Sequence, residues 1–138
     1  MGNRAQVTYD REVEMGYIYF CEPSLYKVTS TEELPVNDDI MLDFGEGIPI
    51  VGIELGGDTA RKVETLADKG HIFKKEVTGD GKTYYTFRLS DERPRKSIFH
   101  PEVDSIVFHF SDTTCEDFIG IDIFDSDSYS ELDLTDQI

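Results

Sequence analysis

The sequence predicts an α+β, mainly β fold: two related small β units, antiparallel or mixed, with one short helix and a central hairpin. Three observations carry that expectation. A segment near the start recurs near the end without a gap, two alternating runs flank an Asp-Gly turn, and one stretch has helical spacing.

The repeat comes first. Tyr9-Asp10-Arg11-Glu12-Val13-Glu14-Met15-Gly16-Tyr17-Ile18-Tyr19-Phe20 lies over Phe99-His100-Pro101-Glu102-Val103-Asp104-Ser105-Ile106-Val107-Phe108-His109-Phe110, and Ile50-Val51-Gly52-Ile53-Glu54-Leu55 over Phe118-Ile119-Gly120-Ile121-Asp122-Ile123. Two matches in the same order point to duplication. Gln6 to Tyr9 reads as a strand, Asp10-Arg11-Glu12 as a polar turn, and Tyr17 to Cys21 as the return strand, rich in residues that suit a pleated surface. Ile40 to Phe44 and Pro49 to Leu55 read as two more strands around Gly45-Glu46-Gly47. The acid of Gly-Ile-Glu and Gly-Ile-Asp alternates with apolar neighbours, so Glu54 and Asp122 should face away from the side that buries Ile53 and Ile121.

Asp58-Thr59 can cap a helix from about Ala60 to Ala67, with Val63, Leu66 and Ala67 on one face and Gly70 as its stop. His71 to Val77 and Thr83 to Leu89 flank Thr78-Gly79-Asp80-Gly81-Lys82, a hairpin signal. Pro94 breaks the chain before the second copy. That copy has only Ser111 to Asp117 between Phe110 and Phe118, so the counterpart of the Ile40–Phe44 strand is lost or comes from the central hairpin. The tail from Asp125 to Ile138 is polar and acidic, ending in one helical turn or fraying. The expected division is residues 1–58 (first β repeat), 59–96 (basic helix and hairpin) and 97–138 (second repeat and acidic tail), within one compact domain.

Charge follows the same boundaries. The chain of 138 residues has a net charge of −16; residues 1–60 hold 3 basic and 12 acidic residues, 61–96 hold 10 and 6, and 97–138 hold 11 acidic and no Lys or Arg. Such a field repels nucleic acid and anionic membranes and attracts basic partners. A basic middle beside two acidic repeats also offers internal pairing, the simpler role for Lys74, Lys75, Lys82, Arg88, Arg93, Arg95 and Lys96. No secretory signal or spanning segment is visible, which leaves a cytoplasmic protein as the expectation. Cys21 and Cys115 lack the spacing of a zinc site and read as free, partly buried thiols, with a bridge between them left open.

Both copies resemble a bacterial family catalogued as domain of unknown function 2283, here in two tandem copies with the second abbreviated. The first supplies Tyr9-Asp10, Glu12, Glu14, Tyr17-Ile18, Leu42-Asp43-Phe44, Gly47 and Val51-Gly52-Ile53-Glu54; the second supplies Phe99, Pro101-Glu102, Asp104, Ile106, Phe108 and Gly120-Ile121-Asp122. Gly16 stands where the pattern has Leu, and His100 where it has Asp. The resemblance implies a small α+β fold and no established activity; some members look like acidic partners of small basic toxins.

Candidate chemistry is sparse. No Gly-x-Ser-x-Gly elbow, phosphate loop or Cys-His spacing appears, and no pair of carboxylates is singled out, so no catalytic or cofactor-binding residue is assigned and no enzyme is expected. Asp125 and Asp127 begin like a calcium loop, but Ser130 occupies the position that needs Gly. His100, Glu102, Asp104 and His109 could gather at a hairpin end, although His100 aligned with Asp10 reads better as a turn residue. The aromatic runs read as core. The expectation is therefore a non-enzymatic acidic interaction protein, monomeric, binding a basic protein as an antitoxin or immunity protein would. Asp122, Asp125, Asp127, Glu131, Asp133 and Asp136 are its expected docking acids. Alternatives are a nucleic-acid mimic that inhibits a DNA-binding protein, and a calcium-binding or structural module.

Overall fold

The computed structural model describes residues 6–67 and 70–135. The described residues form ten strands: β1 (Val7–Asp10), β2 (Met15–Tyr19), β3 (Val28–Leu34), β4 (Asn37–Gly45), β5 (Ile50–Gly56), β6 (Lys74–Val77), β7 (Thr83–Arg88), β8 (Lys96–His100), β9 (Val103–Phe110) and β10 (Phe118–Ile123). Two short α-helices, α1 (Gly57–Arg61) and α2 (Glu131–Leu134), and 3₁₀ turns at Pro23–Leu25 and Glu64–Leu66 accompany them among the described residues. The strands make two five-stranded sheets, ordered β1-β2-β5-β4-β3 and β6-β7-β10-β9-β8, and every pairing is antiparallel.

The two orders are one order, rearranged along the chain. Read from the other edge, the second sheet runs β8-β9-β10-β7-β6, each strand answering one in the first. Registers agree. Ile18 opposes Ile53 and Leu42 opposes Ile53 in the first sheet; Phe108 opposes Ile121 and Phe87 opposes Ile121 in the second. Each sheet also bulges one residue before its glycine, at Val51 and at Ile119. The hairpin β3–β4, which sits mid-unit in the first sheet, is matched by β6–β7, which precedes the other three strands of the second. The central hairpin thus fills the place of the missing strand, and the pattern is consistent with two related β units.

One buried cluster joins both sheets. Ile18, Ile40, Leu42, Ile50, Ile53 and Leu55 from the first meet Phe87, Ile106, Phe108, Phe110 and Ile121 from the second. Alternation produces this: every second residue of a strand faces the same side. Specific contacts pin the layers. The Phe20 ring meets Phe73 edge-on with centroids 5.8 Å apart, and the Tyr129 hydroxyl donates to Ile50 O (2.7 Å) while accepting from Ile50 N–H (2.8 Å). Gln6 is buried, donating to Tyr19 O and Asp133 O and accepting from Ile72 N–H.

Three elements differ from expectation. The helix expected over Ala60–Ala67 is instead α1 at Gly57–Arg61, followed by a 3₁₀ turn at Glu64–Leu66. Strand β5 runs straight into it, so Thr59 is buried and donates to Asp39 instead of capping. Val63 then leaves helical geometry and packs onto Gly16, where an added Cβ would lie 2.9 Å from its Cγ2. The strand expected from His71 begins only at Lys74, because Ile72 N–H bonds Gln6 and Phe73 bridges Thr135. Strand β3 was absent from the sequence reading. Among the described residues no helix is long and apolar enough to cross a membrane.

Candidate functional site

The strands of the two sheets differ sharply in charge. The five strands of the first sheet contain Asp10, Glu32, Glu33, Asp38, Asp39, Asp43 and Glu54 and no Lys or Arg. The second sheet carries Lys74, Lys75, Arg88 and Lys96 against Glu76, Asp104 and Asp122.

On the first sheet one row crosses all five strands: Thr8, Tyr17, Glu54, Met41, Glu33. The next row brings Tyr19, Gly52, Asp43 and Thr31 side by side. Tyr17 donates its hydroxyl to Asp43 Oδ2 and Thr31 donates to Oδ1, both at 2.6 Å. Burial pushes the Tyr17 phenol above its ordinary range, and the Asp43 carboxylate adds to the shift. Gly52 makes this possible: a Cβ there would lie 2.5 Å from Tyr17 Cε1. Beside the ring is a shallow recess of about 360 Å³, lined by Tyr9, Val13, Met15 and Tyr17 with Asp10 and Glu54 among its walls. Val13 is 61% exposed. The result is an apolar, partly aromatic centre with carboxylates around it.

On the second sheet the equivalent rows carry a hydrogen-bonded chain. Ser97, His109, Gly120 and Arg88 stand in register across β8, β9, β10 and β7. Ser97 Oγ lies 2.7 Å from His109 Nδ1, and His109 Nε2 lies 3.0 Å from Asp122 Oδ2. Asp122 Oδ1 also accepts from Thr86 Oγ1 (2.5 Å) and Arg88 (2.8 Å). Burial alone would raise this carboxyl, but the bonds from His109, Arg88 and Thr86 and the Arg88 charge hold it well below the usual carboxylate range. Asp122 does face away from the core, as alternation requires, yet those side chains cover it to 7% exposure.

The other sequence-derived candidates separate. Asp125 accepts the Ser128 N–H in a local turn. Asp127 is exposed, and Glu131 pairs with Lys75 at 3.2 Å. Burial, reinforced by Glu22, raises the Asp133 carboxyl. Asp136 lies outside the described residues. The described part of the tail is held down by Tyr129 and by the buried Leu134, and includes one helical turn, capped by Ser130. Among the described residues no group of three or more His, Cys, Asp or Glu side chains is placed to hold a metal ion. His100 and His109 keep separate company. His100 packs on Phe44 and contacts Glu32, and its Nδ1 accepts the Glu102 N–H as Asp10 accepts that of Glu12.

Several middle-segment cations pair with acids of both flanking segments: Arg61 with Glu14, Lys62 with Asp117, Lys75 with Glu131 and Arg88 with Asp122. Cys21 and Cys115 are both free and buried; burial pushes the Cys21 thiol up to about 12. Sequence reasoning missed Ser97 and the pairing of Tyr17 with Asp43; it singled out His109 for a hairpin end and Arg88 for the basic middle, and did not join either to Asp122. The repeat alignment already placed His109 over Tyr19 at an outward position, and that was the available signal.

A family model described as a protein of unknown function (DUF2283) matches residues 6–56, the span of the first sheet. The chain is also 33% identical over 117 residues to the uncharacterised protein YuzE of Bacillus subtilis (strain 168), covering 85% of each chain. No solved structure matches. With likeness of that extent to a relative and the family's model over its first sheet, the chain belongs to the DUF2283 family of proteins of unknown function.

Proposed function

We propose that this chain is an acidic interaction protein, not a turnover enzyme, and that it docks a basic protein on the outward face of its first sheet, as an antitoxin or immunity protein would. One observation carries the reading: Asp10, Glu33, Asp39, Asp43 and Glu54 stand on the outward side of the five strands, which contain no Lys or Arg, and Asp10 and Glu54 line the recess at Tyr9, Val13, Met15 and Tyr17. An apolar centre excludes water while the surrounding charge steers a cationic partner and fixes its register. A nucleic-acid mimic would need evenly spaced acids without such a centre. We further infer that the strands from β6 to β10 are a second, rearranged copy of the family unit, supported by the shared strand order and the paired bulges.

The test is an affinity pull-down from host lysate with the wild-type chain and with an Asp10→Lys, Glu54→Lys double variant, followed by measured affinity for any retained protein. A single basic protein that binds the wild type and loses about tenfold or more with the variant supports the surface. Equal binding to both chains would refute it.

A further inference from the structure

The chain Ser97–His109–Asp122 has a fixed proton order. Asp122 is held as an anion by Arg88 and Thr86 and can only accept, so His109 Nε2 carries a proton and donates to it at 3.0 Å. In the neutral ring Nδ1 is then an acceptor, and the hydroxyl 2.7 Å away is its donor. A hydroxyl bonded to a base whose far side is oriented by a carboxylate is the arrangement that activates serine as a nucleophile. The ring is used the other way round from trypsin-type enzymes, where Nε2 meets the serine. Either nitrogen can take the proton.

Ser97 is exposed on the edge strand β8, whereas His109 and Asp122 are buried beneath their neighbours. The relay therefore ends at solvent. Two residues along the same strand, Phe99 is 49% exposed, giving a short apolar group a surface to lie on. So open a position supplies proton transfer but no enclosed cradle for a developing oxyanion, and the donor must bring its own activation.

We propose that Ser97 Oγ is an acyl-accepting nucleophile, with His109 as its general base and Asp122 positioning the ring, acting on activated acyl donors such as thioesters. The hydroxyl oxygen forms a bond to the carbonyl carbon as its proton passes to His109 Nδ1. The carbonyl π pair moves onto oxygen and then returns, breaking the carbon–sulfur bond. The departing thiolate leaves with that bonding pair and takes the proton from Nδ1. His109 is neutral again, and Ser97 carries an ester. Nothing is oxidised or reduced. The site lies on the second sheet and stands or falls apart from the acidic face of the first.

The probe is p-nitrophenyl acetate, an activated ester, applied to the full-length chain. Release of p-nitrophenolate gives the rate, and peptide mass mapping locates the acetyl group. Acetyl on Ser97 in preference to the exposed Ser24 and Ser30 is expected. Labelling at position 97 should slow about 100-fold in His109→Gln, the lower range for loss of a general base. Ser97→Ala, a change at an exposed position, should abolish the serine adduct with its melting curve unchanged. If His109→Gln fails to fold, the wild-type ratio of labelling at Ser97 to that at Ser30 decides alone, with a tenfold excess as the threshold. Acetyl confined to lysines, or spread evenly over Ser24, Ser30 and Ser97, would overturn the proposal, as would an undiminished rate at Ser97 in a folded His109→Gln chain.

Discussion

Replacing Asp122 by Asn removes one charge and leaves the shape of the side chain. The carboxylate accepts from Thr86, from two Arg88 nitrogens at 2.8 and 3.3 Å, and from His109. An amide offers one oxygen for those donors and turns its own N–H groups towards the rest. Removing one member of a buried pair costs about 3–5 kcal/mol. The Arg88 side chain is 34% exposed, so water recovers part of its solvation and about 3 kcal/mol is expected. An unfolding entropy of about 2 cal/mol/K per residue over this chain converts that to a fall in Tm of about 10 °C. Circular dichroism melts near neutral pH measure it. The pH dependence is a second check. The folded carboxyl titrates below its unfolded value of about 3.9, so the wild-type advantage is complete above about pH 4 and fades as acid protonates the native group. A loss of Tm under about 3 °C near neutrality, or one that persists undiminished in acid, would show that Arg88, Thr86 and His109 do not hold Asp122 as described.

Two further substitutions probe the frame. Tyr129→Phe removes a hydroxyl that both donates to and accepts from Ile50 and leaves two buried backbone groups unpaired; a loss of about 2 kcal/mol is expected in urea unfolding. Gly52→Ala places a Cβ 2.5 Å from Ile18 O and from the Tyr17 ring, so about 1–3 kcal/mol should be lost and the Tyr17–Asp43 hydrogen bond broken, visible as a change in tyrosine near-ultraviolet dichroism.

Strands whose two faces differ were legible in the sequence, because alternation is written directly into the residue order. Strands β2, β4 and β7 have that property, whereas β5 and β10, buried almost throughout, were legible from their match to each other in the repeat. Strand β3 has neither: Val28 to Glu33 are exposed, so burial leaves no alternation to read. Its Val and Thr content was the remaining trace. Helix α1 was misplaced because capping rules assume a free helix start, whereas β5 delivers the chain directly into Thr59 and Ala60, both buried. The site was harder. Its residues at 97, 109 and 122 come together only through the pairing of three strands, and register is a property of the assembled sheet. Alternation correctly turned Asp122 outward, but could not reveal that Arg88, from a fourth strand, would cover it.

The strand order also sets a timetable. The first sheet is complete once Gly56 has left the ribosome, and its inner face waits for β10, which ends at Ile123. At about 5–20 residues per second that interval lasts about 3–13 s, against microseconds for a hairpin to form. Throughout it Ile18, Leu42 and Ile53 lack the partner sheet they pack on in the native fold. The nascent sheet is then both sticky on one side and strongly anionic on the other. Repulsion between the carboxylate faces of neighbouring chains opposes their aggregation while the second half is still being made.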